Sequence, residues 1–408
     1  MEKIKEFKRI IPKDIKNLLH FIQAFAAVVW FRFPARNLKV IGVTGTDGKT
    51  TTSTLIYHIL KTAGLKVALV STVGAYIGNN EIDTGFHVTT PDSWMLQKLL
   101  KRIVKQGYRY VVLEVTSHGL DQHRLFGSNI QIAVLTNITH EHLDYHKTYQ
   151  NYLKTKTKIF QNAKIAIINK DDKSFRLVTK HIKPQTKTIP YTLSSVGKVI
   201  SNSIEYKFPE KYNRYNATAA SLVATEVGAD NSVIAKAIKT FPGVPGRMEE
   251  IKNNRGFRVI VDFAHTPNAL EQVLTSLKTQ KTFAGRLIAI FGCASERDVN
   301  KRPLMGEIST RLADISIFTA EDPRFEDVNK IISEIISGTK KNKKPNKYYS
   351  IPDRKEAINF AIKELAKNGD IIVICGKGHE KSMNIEGIEY PWSDKNESVN
   401  SLNITNEK

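Results

Sequence analysis

Cysteine is almost absent from this chain: Cys293 and Cys375 are the only two in 408 residues. Two thiols make neither a disulfide framework nor a zinc site, so a reducing compartment, the cytoplasm, is expected. Long hydrophobic runs are missing as well. The most apolar stretch, Leu18 to Phe33, is interrupted by His20, Gln23 and Arg32 and falls short of the ~20 residues a membrane span needs. It reads as an amphipathic helix, docked on the protein or in contact with a membrane surface. No segment has the layout of a secretory signal. Acidic residues are scarce against basic ones, 40 to 61, leaving a net charge of +21. Such a field would attract nucleic acid, a membrane surface or a small polyanion. No basic stretch interleaved with aromatics, the mark of nucleic-acid modules, accompanies it. Much of the excess is lysine on helix faces and in loops such as Lys340-Lys-Asn-Lys-Lys344. Solvated faces are therefore expected, and nucleic acid is not an expected partner.

What is present is a globular composition, 41% hydrophobic and 25% charged, in a chain long enough for two or three domains. Apolar β-branched runs at Lys39–Val43, Tyr110–Val115, Gln131–Leu135 and Lys164–Ile168 read as buried strands. Helical patterns such as Ser93–Gln106 and Thr148–Phe160 lie between them. That alternation predicts an α/β protein with a mostly parallel sheet. A Gly/Pro break, Phe241-Pro-Gly-Val-Pro-Gly246, interrupts it. Beyond the break, strands are predicted at Arg258–Asp262, Leu287–Phe291, Asp314–Phe318 and Ile371–Cys375. Helices are predicted at Asn268–Leu277, Lys301–Leu312, Val328–Ile336 and Asp353–Ala366. The expected division is a short helical segment over 1–38, a central domain over 39–245 and a C-terminal domain over 246–408.

The strand Lys39–Val43 runs into Ile41-Gly-Val-Thr-Gly-Thr-Asp-Gly-Lys-Thr-Thr-Thr52, and a helical pattern follows. Glycines let successive N–H groups turn toward one anion, and the helix N-terminus adds positive potential. The lysine can reach terminal phosphates and the following threonine can ligate Mg²⁺. A bound nucleoside triphosphate is the expectation. The first glycine of the general phosphate-loop pattern is replaced by Val43, so the shorter form Gly45-Thr-Asp-Gly48-Lys49-Thr50 stands here. Glu114 ends a strand, where ligands bind in open α/β sheets, and reads as a Mg²⁺ ligand or as an ordinary surface acid. In Thr136-Asn-Ile-Thr-His-Glu-His-Leu-Asp-Tyr-His146, three histidines and two acids within seven residues suggest a metal or phosphate shell, although no standard zinc spacing fits.

Taken in order, these segments resemble the signatures of the Mur ligase family. They are Gly45-Thr-Asp-Gly-Lys-Thr-Thr51, Glu114-Val-Thr-Ser-His118, Thr136-Asn-Ile-Thr139 with His142-Leu-Asp144, Asn213-Arg-Tyr-Asn216, Pro245-Gly-Arg-Met248, Asp262-Phe-Ala-His-Thr-Pro267 and Gly376-Lys-Gly-His-Glu380. Within the family, Thr89-Thr-Pro-Asp92, His118-Gly-Leu-Asp-Gln-His-Arg124, Lys301-Arg-Pro-Leu-Met305 and Asp322-Pro-Arg324 resemble the members that add the third residue of the peptidoglycan stem peptide. The resemblance implies a central phosphate-loop domain followed by a smaller, Rossmann-like α/β C-terminal domain. It implies an ATP- and Mg²⁺-dependent amide ligase acting through an acyl phosphate, and a monomer. By resemblance, Gly45, Thr46, Asp47, Gly48, Lys49, Thr50, Thr51, Asn213, Asn216, Arg247 and Asp353 meet the nucleotide. Asp353 reads equally as a helix N-cap. Thr50, Glu114, His142 and a carbamylated lysine would serve the metal. The family pattern selects Lys156, with Lys154 and Lys158 as neighbours that compete. Thr89, Thr90, Ser117, Gln122 and Arg124 match positions that hold the UDP-muramoyl dipeptide.

The arriving amino acid would meet Arg302, Asp322, Arg324, Gly376 and Glu380. An arginine fork suits a carboxylate, so Arg324 points to meso-diaminopimelate over lysine. The family's Asp-Asn-Pro-Arg reads Glu321-Asp-Pro-Arg324 here, and the acid Asp322 is expected to favour the substrate's ammonium while crowding its carboxylate. Only 38 residues precede Lys39, so the uridine-binding domain that family members carry ahead of the loop is expected to be missing. Pro209-Glu-Lys-Tyr-Asn213 stands where a Pro-Gly turn is usual. The alternatives are a folylpolyglutamate-synthetase-like ligase of the same superfamily, or a non-catalytic nucleotide or nucleic-acid binder.

Overall fold

A computed structural model of the chain describes residues 12–78, 80–82, 89–139, 141–281, 284–295, 298–342 and 346–403. Lys343 and Lys344 of the lysine-rich loop, and His140 of the histidine run, lie outside the described residues. The chain divides into two compact units. One comprises Met1–His140 with His146–Phe241, the other Pro242–Lys408 with the short stretch Glu141–Tyr145.

The first unit is built on an eight-stranded sheet. Its strands are β1 (Lys39–Thr44), β2 (Val67–Ser71), β3 (Gly74–Ile77), β4 (Asn80–Ile82), β5 (Tyr110–Glu114), β6 (Ile130–Leu135), β7 (Ile165–Asn169) and β8 (Lys187–Tyr191), in the order β4-β3-β2-β5-β1-β6-β7-β8. All pairings are parallel except β2–β3 and β3–β4. The central strands are apolar on both faces because helices cover both; β1 is buried from Val40 onward. The helices used below are α1 (Lys13–Trp30), α2 (Lys49–Thr62), α3 (Ser93–Lys105), α4 (Ser117–Asp121), α5 (Tyr149–Thr157) and α6 (Lys211–Val227). α2 buries Leu55, Ile56, Ile59 and Leu60, and α3 starts at Asp92, whose carboxylate accepts from the N–H groups of Trp94 and Met95. α1 packs on α3 through Ala24, Ala27 and Val28.

Register positions the loops. Val43 of β1 pairs with Glu114 at the end of β5, and Thr44 pairs with Leu135 at the end of β6. The segments leaving β1, β5 and β6 thus emerge side by side at the carboxyl edge, where open α/β sheets bind ligands.

The second unit has a six-stranded sheet of β9 (Glu249–Ile251), β10 (Arg258–Asp262), β11 (Leu287–Phe291), β12 (Ile315–Phe318), β13 (Lys347–Ser350) and β14 (Ile371–Cys375), in the order β13-β12-β11-β14-β10-β9. Only β9 runs antiparallel to its neighbour. A hairpin, β15 (Ser382–Ile385) with β16 (Ile388–Pro391), follows. The helices are α7 (Pro267–Gln280), α8 (Lys301–Leu312), α9 (Val328–Thr339), α10 (Arg354–Asn359), continued by a wider turn over Phe360–Leu365, and α11 (Asp394–Asn403). Leu270, Leu274, Phe291, Met305 and Ile335 form one face of the core, and Val259, Ile290, Ile317 and Ile362 the other.

α11 is pinned by a buried ion pair. Arg354 Nε and Nη2 donate to Asp394 Oδ1 and Oδ2 at 2.8 and 2.7 Å. The remaining guanidinium donors reach the carbonyls of Ala320 and Cys375, and Trp392 Nε1 donates to Asp394 Oδ1. Losing the carboxylate strands a buried cation. Asp394→Ala is expected to lower stability by about 3–5 kcal/mol in urea unfolding. Glu226→Ala, which breaks the exposed Lys187–Glu226 pair, should cost under ~1 kcal/mol. Equal losses in the two variants would contradict this assignment.

Candidate active site

The loop between β1 and α2 is held from several sides. Thr46 N donates to the Asn137 carbonyl (2.9 Å) and Asp47 N to Asn137 Oδ1 (2.9 Å). Thr136 Oγ1 and Asn137 Nδ2 donate to the Asp47 carbonyl, and Thr139 N to Thr46 Oγ1. Gly45 and Gly48 have positive φ, 154° and 81°. A Cβ at Gly45 would strike Thr136 Oγ1, and one at Gly48 would strike Asn216 Oδ1. Both positions therefore need glycine for space as well as for conformation. Lys49 Nζ curls back to the Thr46 carbonyl at 2.6 Å, so its ammonium lies over the loop.

The structure brings Thr50, Glu114 and Lys156 to this loop. Thr50 Oγ1 donates to Glu114 Oε1 (2.9 Å) and Thr72 N to Glu114 Oε2 (2.9 Å); the carboxylate is 2% exposed. Lys156 is buried on α5, with Nζ 2.6 Å from the Gly45 carbonyl and over the Tyr152 ring. Of its competitors, Lys154 is exposed and Lys158 half-buried, with Lys158 Nζ 3.5 Å from Asp121 Oδ1. α6 lies against α2: Asn216 Oδ1 accepts from Thr52 Oγ1 and its Nδ2 donates to Asn213 Oδ1, both at 3.2 Å. Asn213 in turn donates to Glu210.

The threonines ahead of α3 join the same network. Thr72 Oγ1 donates to Thr89 Oγ1 (3.0 Å), and Thr90 Oγ1 to the Glu114 carbonyl (3.1 Å). Thr90 Oγ1 also accepts from Thr116 N (3.0 Å), just ahead of Ser117. Arg124 donates to the Thr90 carbonyl (2.8 Å) and to Gln122 Oε1 (2.9 Å). Ser117 Oγ meets His146 Nε2 at 3.0 Å. Of the histidine-acid run, His140 and the side chain of Asp144 lie outside the described residues. His146 turns toward Ser117 and Tyr152, whose ring centroid is 5.2 Å away, while Glu141 and His142 pair with each other at 3.7 Å in the stretch that belongs to the second unit. Among the described residues no group of three His, Cys, Asp or Glu side chains converges on a metal position.

In the second unit, Arg247 lies over the Phe263 ring, 4.2 Å from Cζ to centroid. Asp262 accepts from Met248 N and Ala264 N. Asp353 caps α10 by accepting from Glu356 N (2.8 Å). A residue missed by the sequence reading, Lys377, is fully buried between Asp322 Oδ1 (2.7 Å) and Glu380 Oε2 (2.6 Å). Burial alone would lower its pKa, but Glu380 and Asp322 raise it. Asp322 also accepts from Asn384 N (2.9 Å). The expectation for Asp322 is therefore amended: its charge is offset by Lys377. A lysine beside Gly376 was the available signal, since a fully buried ammonium must be paired. Arg324 is half-buried, with its backbone tied to Asn384 and Glu386.

Arg302, expected at the amino-acid site, is fully buried, and its guanidinium is engaged by Glu326 (2.8 and 2.7 Å) and Glu334 (2.7 Å). These pairs tie α8 to Glu326, just ahead of α9, and to Glu334 on α9. Gly376 (φ 112°) sits where a Cβ would meet Glu321 Oε2.

A phosphate loop at the edge of a parallel sheet, followed by a second parallel α/β unit, defines a nucleotide-binding protein of the α/β class. The sequence matches the model of the Mur ligase middle domain over residues 43–224 and that of the Mur ligase glutamate ligase domain over 246–378. It is 38% identical to the UDP-N-acetylmuramoyl-L-alanyl-D-glutamate–2,6-diaminopimelate ligase of Clostridium botulinum, over 85% of this chain and 74% of that protein. It is 37% identical to the protein of the same name from Parabacteroides distasonis, over 90% and 78%. A solved structure of a UDP-N-acetylmuramoyl-L-alanyl-D-glutamate–2,6-diaminopimelate ligase superposes with a TM-score of 0.60 at 34% identity, covering 91% of this chain and 79% of that one. A Mycobacterium tuberculosis folylpolyglutamate synthase shares the fold, with a TM-score of 0.69 at 15% identity, over 87% and 92%. The chain belongs to the Mur ligase family.

One carboxyl in this region has an unusual environment. Among the described residues Glu321 Oε2 has no hydrogen-bond partner. Burial pushes the Glu321 carboxyl up to about 7, against the pull of Lys301, Arg354 and Lys377. The folded protein then holds a proton that the unfolded chain has released above ~4.3. Stability from this group is present at low pH and falls as pH rises toward 7. Glu321→Gln is expected to flatten that fall by roughly 1–3 kcal/mol, at ~1.4 kcal/mol per pKa unit. Urea unfolding at pH 5 and pH 8 measures it, and an undiminished fall in the variant would exclude Glu321 as its source.

Proposed function

We propose that this protein joins a diamino acid, meso-diaminopimelate, to UDP-N-acetylmuramoyl-L-alanyl-D-glutamate with cleavage of ATP to ADP and phosphate. One observation carries the reading. A single hydrogen-bonded network links the phosphate loop, the Glu114 carboxylate and the threonines of the acceptor segment (Thr50–Glu114–Thr72–Thr89, with Thr90 on the Glu114 carbonyl). The substrates are those for which the relatives are named.

Gly45 to Thr51 cradle the ATP phosphates, and Lys49 neutralises charge that gathers on the transferring group. A buried carboxylate beside a hydroxyl at a helix N-terminus is an oxygen set that suits a hard divalent cation. Thr50, Glu114, His142 and Lys156 as its carbamate are the residues that would hold Mg²⁺, which when bound offsets phosphate charge. Thr89, Thr90, Ser117, Gln122 and Arg124 orient the acceptor so that its carboxylate oxygen attacks the γ-phosphorus while the bond to ADP breaks. The amine nitrogen then attacks the acyl carbon, loses a proton, and phosphate leaves. Positioning is the protein's main contribution. Asp322, Arg324, Gly376 and Glu380 form the amino-acid side of the proposal, with Arg324 pairing the distal carboxylate. Arg247, Asp353, Asn213 and Asn216 complete the nucleotide contacts.

Phosphate release is the test, using ATP, Mg²⁺, UDP-muramoyl dipeptide and a panel of amino acids. Diaminopimelate is expected to give the highest rate. Lys49→Ala should lower kcat by about 10²–10³-fold, as should Lys156→Ala, whereas Lys154→Ala should remain near wild type. No release with any amino acid would end the ligase reading. Arg324→Ala should raise KM for diaminopimelate about 10–100-fold, the worth of a charged hydrogen-bonded pair, with kcat little changed. An unchanged KM would remove Arg324 from the amino-acid site.

A further inference from the structure

α1 turns an apolar face outward. Ile15, Leu18, Leu19, Ile22, Phe25, Val29 and Trp30 recur at helical spacing and are all exposed, Leu18 at 58% and Trp30 at 71%. The opposite side already holds the helix to the first unit through Ala24, Ala27 and Val28, and through the Phe21–Phe126 ring contact at 5.1 Å. Phe25 also reaches the Phe126 ring at 6.2 Å, but most of the outward face is bare, and a continuous apolar patch of this kind marks a docking surface. The two tryptophans meet at one end of it: Trp30 and Trp94 lie 6.3 Å apart, and Trp94 is itself 36% exposed.

The charge flanking this face is mostly basic, with Asp14 at the start of α1 an exception. No acidic residue occurs from Ile15 to Thr46 or from Ser93 to Tyr110. The same segments carry Lys16, Arg32, Arg36 and Lys39, and on α3 Lys98, Lys101, Arg102 and Lys105. Lys98, Arg102 and Lys105 are exposed, and Lys101 Nζ lies 5.7 Å from the Phe31 ring. Asp92, at the start of α3, is engaged in its cap.

We propose that α1, with the flanking basic face of α3, seats the protein on an anionic lipid bilayer surface. An apolar stripe beside cationic residues, with tryptophan at its rim, is the design of an in-plane interfacial helix. Anionic headgroups attract the neighbouring lysines and arginines within a Debye length. Among the described residues no helix is long and apolar enough to cross a membrane. A symmetric contact between two copies is disfavoured, because an isologous interface would bring the basic flanks face to face.

Co-sedimentation of the full chain with phosphatidylglycerol/phosphatidylcholine vesicles tests this, with pure phosphatidylcholine vesicles beside them. The protein is expected to pellet with the anionic vesicles, to be released by high salt, and to stay in solution with the neutral ones. Ile22→Glu with Phe25→Glu should weaken vesicle binding about 10-fold or more while leaving ATP-dependent phosphate release unchanged, which keeps this proposal separate from the catalytic one. Lys98→Glu with Arg102→Glu, which leaves α1 intact, should weaken it as well. Absence of binding, equal binding to both vesicle types, or self-association in sedimentation equilibrium that Ile22→Glu abolishes would each overturn the proposal.

Discussion

The first unit's chemistry depends on the parallel register of β5, β1 and β6. Because Val43 pairs with Glu114 and Thr44 with Leu135, three loops distant in sequence leave the sheet as neighbours. The Thr50–Glu114 hydrogen bond then ties the first turn of α2 to the end of β5. Thr136 and Asn137 clamp the loop backbone from the other side. A slip of one residue would turn Glu114 to the opposite face of the sheet and break both the bond to Thr50 and the one from Thr72.

The second unit meets a different constraint: several cations are taken out of water and must be compensated. Lys377 lies between two carboxylates, Arg302 between two glutamates, and Arg354 against Asp394 with two carbonyls. Such pairs gain little over an apolar core but are costly to break, so they hold unique positions for the ends of β12 and β14 and for α8, α9 and α11. Lys377 also accounts for an acid at position 322 where the family pattern has an amide. The ammonium and the Asn384 N–H both engage Asp322, so its charge has a local partner.

The strands flanking both sites were readable because buried parallel strands are continuous β-branched runs, as in Tyr110–Glu114 and Ile371–Cys375. The antiparallel strands β3 and β4 and the hairpin β15–β16 were not, since short, partly exposed strands carry weak periodicity. The phosphate loop was legible because glycine spacing and the strand–loop–helix order coincide, and the structure shows the steric need behind Gly45 and Gly48. The family pattern selected Lys156, and burial on α5 sets it apart physically from the exposed Lys154. The pairing of Arg302 with Glu326 and Glu334 was not legible, because a motif position does not reveal which distant carboxylates will reach its guanidinium.

From the chain alone came the α/β class, the phosphate-loop chemistry and the Mur ligase resemblance, because periodicity and local motifs are written in neighbouring residues. Tertiary structure decided which acids and amides meet the loop, that Lys156 points at Gly45 while Lys154 faces solvent, and that Lys377, Arg302 and Arg354 are each paired with carboxylates. It also decided which face of α1 is left bare. Those outcomes depend on contacts between residues tens to hundreds of positions apart, and burial and pairing at that range are properties of the packed chain, not of any stretch of sequence.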